Sequence, residues 1–78
     1  MKMVKVLGSG CAKCRSTVAL IERVAAAQGA AIALEKVEDM PTIASYGVMS
    51  TPAVVIDGSV VHAGGVPTEG AVAAWFGS

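Results

Sequence analysis

One stretch constrains the fold more than any other. From Cys11 to Gln28 the apolar positions recur at helical spacing, and a short apolar run bounds the stretch on each side. Cys14, Val18, Ile21, Ala25 and Gln28 follow one another at intervals of four and three, with Thr17, Leu20 and Val24 widening the same face. Arg15, Glu22 and Arg23 fall elsewhere on the wheel, and Gly29 supplies a stop. Before this helix, Met3 to Leu7 reads as a buried strand ending in the turn Gly8-Ser9-Gly10. After it, Ala31 to Val37 reads as a second strand with Ile32 and Leu34 on one face. A strand, a long helix and a strand make a crossover unit, so the two strands are expected to be parallel with a right-handed connection.

The remainder of the chain carries local punctuation. Asp39 can cap a short helix that accepts Pro41 in its first turn, carries Ile43 and Ala44, and stops at Gly47. Val48 to Pro52 reads as a loop, Ala53 to Ile56 as a third strand and Val60 to His62 as a fourth, with Asp57-Gly58 as the hairpin turn between them. Gly64-Gly65-Val66-Pro67 is a turn, and Thr68 can cap a last helix running through Phe76. The order is βαβαββα: an α/β class chain, residues 1–78 as a single domain, with a four-stranded mixed sheet and helices on both faces.

Composition narrows the functions available. Hydrophobic residues make up 54% of the chain and net charge is zero, so disorder is excluded. Six basic residues balanced by six acidic ones offer no surplus to neutralise phosphates, which argues against nonspecific nucleic-acid binding. The longest charge-free stretch, Met40 to Ile56, is interrupted by Pro41, Gly47 and Pro52, so no membrane insertion is expected. The N-terminal M-K-M-V-K-V-L has Lys5 inside its apolar run and no small-residue cleavage site, so a cytoplasmic protein is expected.

The chain has two cysteines, Cys11 and Cys14, in C-A-K-C where the first strand gives way to the first helix. A helix start leaves N–H groups unpaired and carries the positive end of the dipole, and both effects stabilise a thiolate. Lys13 and Arg15 add positive charge, and five of the six basic residues lie within the first 23 positions, so the cysteine end reads as locally basic. On these grounds Cys11 is the better nucleophile. Cys14, one turn on, would resolve the mixed disulfide that Cys11 forms with a partner. Other readings compete. A closed zinc site needs about four ligands, and two thiols with one His fall short. A static disulfide closing so small a loop adds little stability where reductants prevail. The dithiol could instead hold a soft metal or metalloid, or serve as a redox sensor.

With C-A-K-C after the first strand and Y-G-V-M-S-T-P-A-V-V-I-D-G from Tyr46 to Gly58, the chain resembles the thioredoxin superfamily, in particular its small, glutaredoxin-sized members. The resemblance covers essentially the whole chain. It implies a thioredoxin-like fold, a thiol–disulfide oxidoreductase activity serving electron transport and cell redox homeostasis, and a cis Pro52 that faces Cys11 and Cys14. From the residues alone, Pro52 opening an edge strand in trans is an equal reading. A cis bond at Pro52 turns the chain so that Thr51 presents its backbone to a docking partner, and Met49 in the same loop reads either as plain packing or as an apolar grip on that partner. There are departures. Gly10, not an aromatic residue, precedes the first cysteine, and Ala12-Lys13 stand between the pair. The first strand carries Lys2 and Lys5 but no acid. Gly64-Gly65 match part of the glutathione-holding pattern of glutaredoxins, whereas Val66-Pro67 replace its polar part.

The expected activity is thus protein-disulfide oxidoreduction by Cys11 and Cys14, with Thr51, Pro52 and Met49 as the docking element and Lys13 and Arg15 as electrostatic modulators. No cofactor and no metal is expected. The expected partners are a protein disulfide or small thiol, with a thiol or flavin-dependent reductase as electron donor, and a monomer or weak homodimer is expected. Beyond the dithiol, His62 reads as a partly buried strand histidine, Tyr46 as packing at the end of the second helix, and Trp75 and Phe76 as core anchors of the last helix.

Overall fold

The computed structural model describes residues 2–8 and 12–77. Seven elements follow one another: β1 (Lys2–Leu7), α1 (Ala12–Ala27), β2 (Ile32–Val37), α2 (Met40–Ser45), β3 (Ala53–Ile56), β4 (Ser59–Ala63) and α3 (Glu69–Gly77). The order and type of all seven match the sequence expectation, with β4 one residue longer at each end. Expectations that fall on Ser9, Gly10 and Cys11 lie outside the described residues.

The four strands form one sheet in the order β2-β1-β3-β4. β1 runs parallel to β2, with Val6 opposite Lys36 and Leu7 opposite Val37. β1 runs antiparallel to β3, with Leu7 opposite Ala53, and β3 pairs antiparallel with β4. Asp57 and Gly58 connect the last two strands with positive φ values of 50° and 87°, the backbone that a two-residue hairpin needs to match the twist of its strands. Asp57 also ties the turn to β1, its Oδ1 accepting from the Met3 N–H at 2.9 Å.

Alternation along the strands divides the core in two. Val4, Val6, Val54 and Ile56 point to one face, where they pack with Leu20, Ile21 and Val24 of α1 and Val72 of α3. Leu7, Ala53 and Val55 point to the other and pack with Ile43 of α2. Helices therefore cover both faces of a mixed sheet. α1 buries Cys14, Thr17, Leu20, Ile21, Val24 and Ala25 as one stripe, and it ends where Gly29 adopts a φ of 67°. α2 starts as its cap residue dictates: the Asp39 carboxylate accepts from both the backbone N–H and the hydroxyl of Thr42, at 3.0 and 2.6 Å. Thr68 caps α3 through its Oγ1, which accepts from the Ala71 N–H at 3.1 Å.

Three expectations need correction. Trp75 and Phe76 are only partly buried against the core, and the fully buried member of α3 is Val72. Val72 sits within the cluster formed by α1 and the central strands β1 and β3, and the two rings pack against that cluster while keeping part of their surface exposed. Gln28 does not belong to the apolar face of α1. It is exposed, and its Nε2 donates to the Ala73 carbonyl at 3.2 Å, which fastens the end of α1 to α3. The five early basic residues do not gather at one end either. Lys2 stands at the opposite end of β1 from Leu7, and Arg23 lies down the length of α1, pairing with Glu69 at 3.1 Å. A six-residue strand spans roughly 17–20 Å, so nearness in sequence does not carry over to nearness in space.

Candidate functional site

The sheet topology brings three chain segments to the carboxyl end of β1. Gly8 follows β1 directly and prolongs its pairing with β2, donating its N–H to the Val37 carbonyl at 2.9 Å. α1 begins at Ala12 and turns Cys14 inward, leaving the residue 6% exposed. β3 starts opposite Leu7, so the loop before it arrives beside Gly8. Gly8 lies flat against the cysteine: a Cβ added there would fall onto Cys14 Sγ, and would lie 3.8 Å from Thr51 Cβ. Glycine at this position is what allows a sulfur to be buried under the strand end.

One turn further along α1, Thr17 is fully buried, and its hydroxyl donates to the Lys13 carbonyl at 2.8 Å. That bond satisfies a polar group that burial would otherwise leave costly. Lys13 and Arg15 are exposed on the two sides of Cys14.

The loop before β3 is held from two directions. The Thr51–Pro52 peptide is cis, and Pro52 is among the most deeply buried side chains of the protein. The Pro52 carbonyl accepts from the Gly64 N–H at 3.0 Å. Gly64, with φ of 85°, packs close to Ser50: a Cβ there would meet Ser50 Cβ at 3.2 Å. Thr51 is exposed and Met49 is 98% exposed. Pro52 therefore shapes this loop from beneath rather than offering apolar surface, while Thr51 and Met49 face solvent.

Two residues that sequence reasoning passed over join the site. A cleft of about 200 Å³ opens beside Cys14, lined by Val6, Gly8, Cys14, Arg15, Lys36 and Glu38. Lys36 and Glu38 come from β2 and the residue after its end, far from the cysteines in sequence. The signal that could have found them is strand register: the parallel pairing sets Lys36 opposite Val6, at the end of β1 from which the cysteine segment departs. Gly8 was also read only as part of a turn, and its contact with Cys14 is visible only once α1 is folded back on the sheet.

Lys5 and Tyr46 meet on the α2 side of the sheet, where Lys5 Nζ donates to the Tyr46 hydroxyl at 3.3 Å. His62 is partly buried, its Nε2 is 2.9 Å from the Gly65 carbonyl, and its ring lies tilted against Trp75 at 6.3 Å between centroids. It takes no part in the cleft.

A parallel crossover with a buried helix-start cysteine, a hairpin added on the far side of the central strand, and a closing helix define a thioredoxin-like α/β domain. The family model of the thioredoxin domain matches residues 2–77, and the chain belongs to that family. No curated protein matches it. No helix among the described residues is long and apolar enough to cross a membrane.

Proposed function

We propose that the chain is a thiol–disulfide oxidoreductase working through Cys11 and Cys14. The observation that carries this reading is the setting of Cys14: a sulfur buried under Gly8 at the first turn of α1, beside the Thr51–Pro52 loop, in a member of the thioredoxin family. A resolving thiol needs such a setting. It must be shielded from external disulfides yet within reach of the neighbouring cysteine. Cys11, just ahead of Ala12, takes the nucleophile's role. Its thiolate attacks a partner disulfide and releases one partner thiolate, and Cys14 then attacks the Cys11 sulfur, releasing the reduced partner and closing the Cys11–Cys14 disulfide. The helix start and the charges of Lys13 and Arg15 lower the energy of the thiolate.

Thr51 offers exposed backbone to an extended partner segment while buried Pro52 sets the direction of the loop, and Met49 adds apolar surface beside them. The substrates in this reading are protein disulfides or small thiols. The electron donor is a thiol or a flavin-dependent reductase, the compartment is the reducing cytoplasm, and no organic cofactor is needed.

The test uses two variants. Cys11→Ser abolishes insulin disulfide reduction, and Cys14→Ser accumulates mixed disulfides with substrate. Full activity of Cys11→Ser refutes the assignment. Stoichiometric Cu(I), Zn(II) or As(III) binding by the reduced protein, with no turnover, replaces it by a metal- or metalloid-holding dithiol.

A further inference from the structure

Among the described residues the sheet has two edges, one blunted and one regular. At β4 the pairing with β3 slips: Val54 stands opposite His62 and Val55 opposite Val60, which leaves Val61 over as a bulge. Such a bulge keeps an edge from pairing with another chain. β2, the other edge, runs in unbroken register from Ile32 to Val37. The Ala31 and Val37 carbonyls accept from the Lys2 and Gly8 N–H groups, so the odd-numbered residues of β2 turn their backbone toward β1. Ile32, Leu34 and Lys36 therefore turn theirs outward. Beside this edge lies a groove of about 440 Å³, lined by Ile32 and Leu34 on the sheet side and by Glu22, Ala25 and Ala26 of α1.

We infer that β2 is a self-association edge: a second copy of the chain lays its own β2 antiparallel against the first and extends the sheet across a twofold axis. A twofold perpendicular to the sheet keeps like faces together, so even-numbered residues stand opposite even-numbered ones. Centring the pair on Glu35 or on Lys36 sets like charges directly opposite each other. Centring it on Ala33 sets Lys36 opposite Ala30, whose N–H is already held by the Ala25 carbonyl at 2.8 Å. Centring it on Leu34 sets Leu34 opposite itself and Ile32 opposite Lys36, and every outward N–H and C=O of these three residues then finds a partner. Lys36 lies on the α1 side of the sheet, as do Ile32 and Leu34. In this register the partner's Lys36 stands beside Ile32 and faces Glu22 across the groove, where the small side chains of Ala26 and Ala30 leave it room. Symmetry makes the pair twice. Charge complementarity thus selects a second copy as occupant and Leu34 as the centre.

The dimer is a weak one. A standard interface covers about 800 Å² on each partner, roughly a fifth of the 4279 Å² that this chain exposes, and one strand edge with one groove falls short of that. The dissociation constant is therefore expected at roughly 0.1–1 mM. The Thr51–Pro52 loop leads into β3, which β1 separates from β2, so the edge stands independently of the redox reading.

The experiment follows translational diffusion and amide shifts of the full chain by NMR between roughly 20 μM and 4 mM, a range that brackets the expected constant. A phosphine reductant excludes cysteine cross-links. Diffusion should slow toward that of a dimer as concentration rises, with the shifts of residues 32–37 moving most. An exposed ion pair changes an equilibrium by up to about fivefold, so Lys36→Glu, which turns both symmetric pairs into repulsions, should weaken association by roughly tenfold. Glu22→Lys should do the same. The protein carrying both substitutions should regain the parent's affinity, and that recovery shows that the variants fold. A chain that diffuses as a monomer at every concentration overturns the proposal. So does a dimer whose shifts map to β4 or to the loop at Met49, or one whose affinity ignores the charge reversals or fails to recover when they are combined.

Discussion

Adding one methyl group at Gly8 and the same group at Gly70 should move stability in opposite directions. At Gly8 the new Cβ would overlap Cys14 Sγ and come within 3.5 Å of Cys14 Cβ, so either the thiol or the strand end must shift. Overpacking of this kind costs about 1–3 kcal/mol. The φ of Gly8 is not in the left-handed region, so the collision alone sets the cost. At Gly70, in the first turn of α3, a Cβ meets nothing within 4 Å, and replacing glycine in a helix gains up to about 1 kcal/mol. Equilibrium unfolding in urea measures both, with the midpoints moving and the slope unchanged. For a chain of this length each kcal/mol appears as a shift of about 4–8 °C in Tm. The cause is isolated by a double-mutant cycle. In a Cys14→Ala background the sulfur is gone, the remaining 3.5 Å contact is ordinary, and Gly8→Ala should fall within about 0.5 kcal/mol of neutral. A Gly8→Ala cost that persists undiminished without the sulfur refutes the reasoning, as does a Gly8→Ala protein as stable as the parent.

Other expectations follow from single contacts. Val72→Ala removes two methyl groups from a position with no solvent exposure where α3 meets the sheet and α1, and should lower unfolding free energy by about 2 kcal/mol, read as a lower urea midpoint. Asp39 is held below its ordinary carboxyl value of 3.8 by the hydrogen bonds from the Thr42 hydroxyl and then the Thr42 N–H. Its folded value is the lower one, so its contribution is present above the unfolded value and is lost as pH falls through the folded value. The Tm difference between the parent and Asp39→Ala should therefore be full at pH 6 and shrink below pH 4; a difference constant across that range would contradict the capping role. Glu69→Gln breaks the Arg23 pair, but both side chains are about two-thirds exposed, at 66% and 70%, so the cost should stay under about 1 kcal/mol and fade in 1 M salt.

Much of this protein was legible from its sequence because the deciding interactions are short-ranged. The periodicity of Cys14 to Ala25 defines the buried stripe of α1, and Asp39, Thr68, Gly29 and the Asp57-Gly58 pair each set a helix end or a turn through atoms a few residues away. The C-A-K-C motif at the strand-to-helix junction is equally local, and with the Thr51-Pro52 pair it pointed to the family. What tertiary structure alone decided is which distant residues stand around Cys14. Charge counted along the chain placed Lys2 and Arg23 with the cysteines, yet strand length and helix length carry them away, and the register of β1 against β2 brings Lys36 and Glu38 in their place. The same packing turns Gly8 from a turn residue into the surface on which a sulfur rests, and buries Pro52 beneath the loop before β3. The physical reason is common to all of these: capping and periodicity act over one turn of chain, whereas register and burial follow from how whole faces of the sheet are covered.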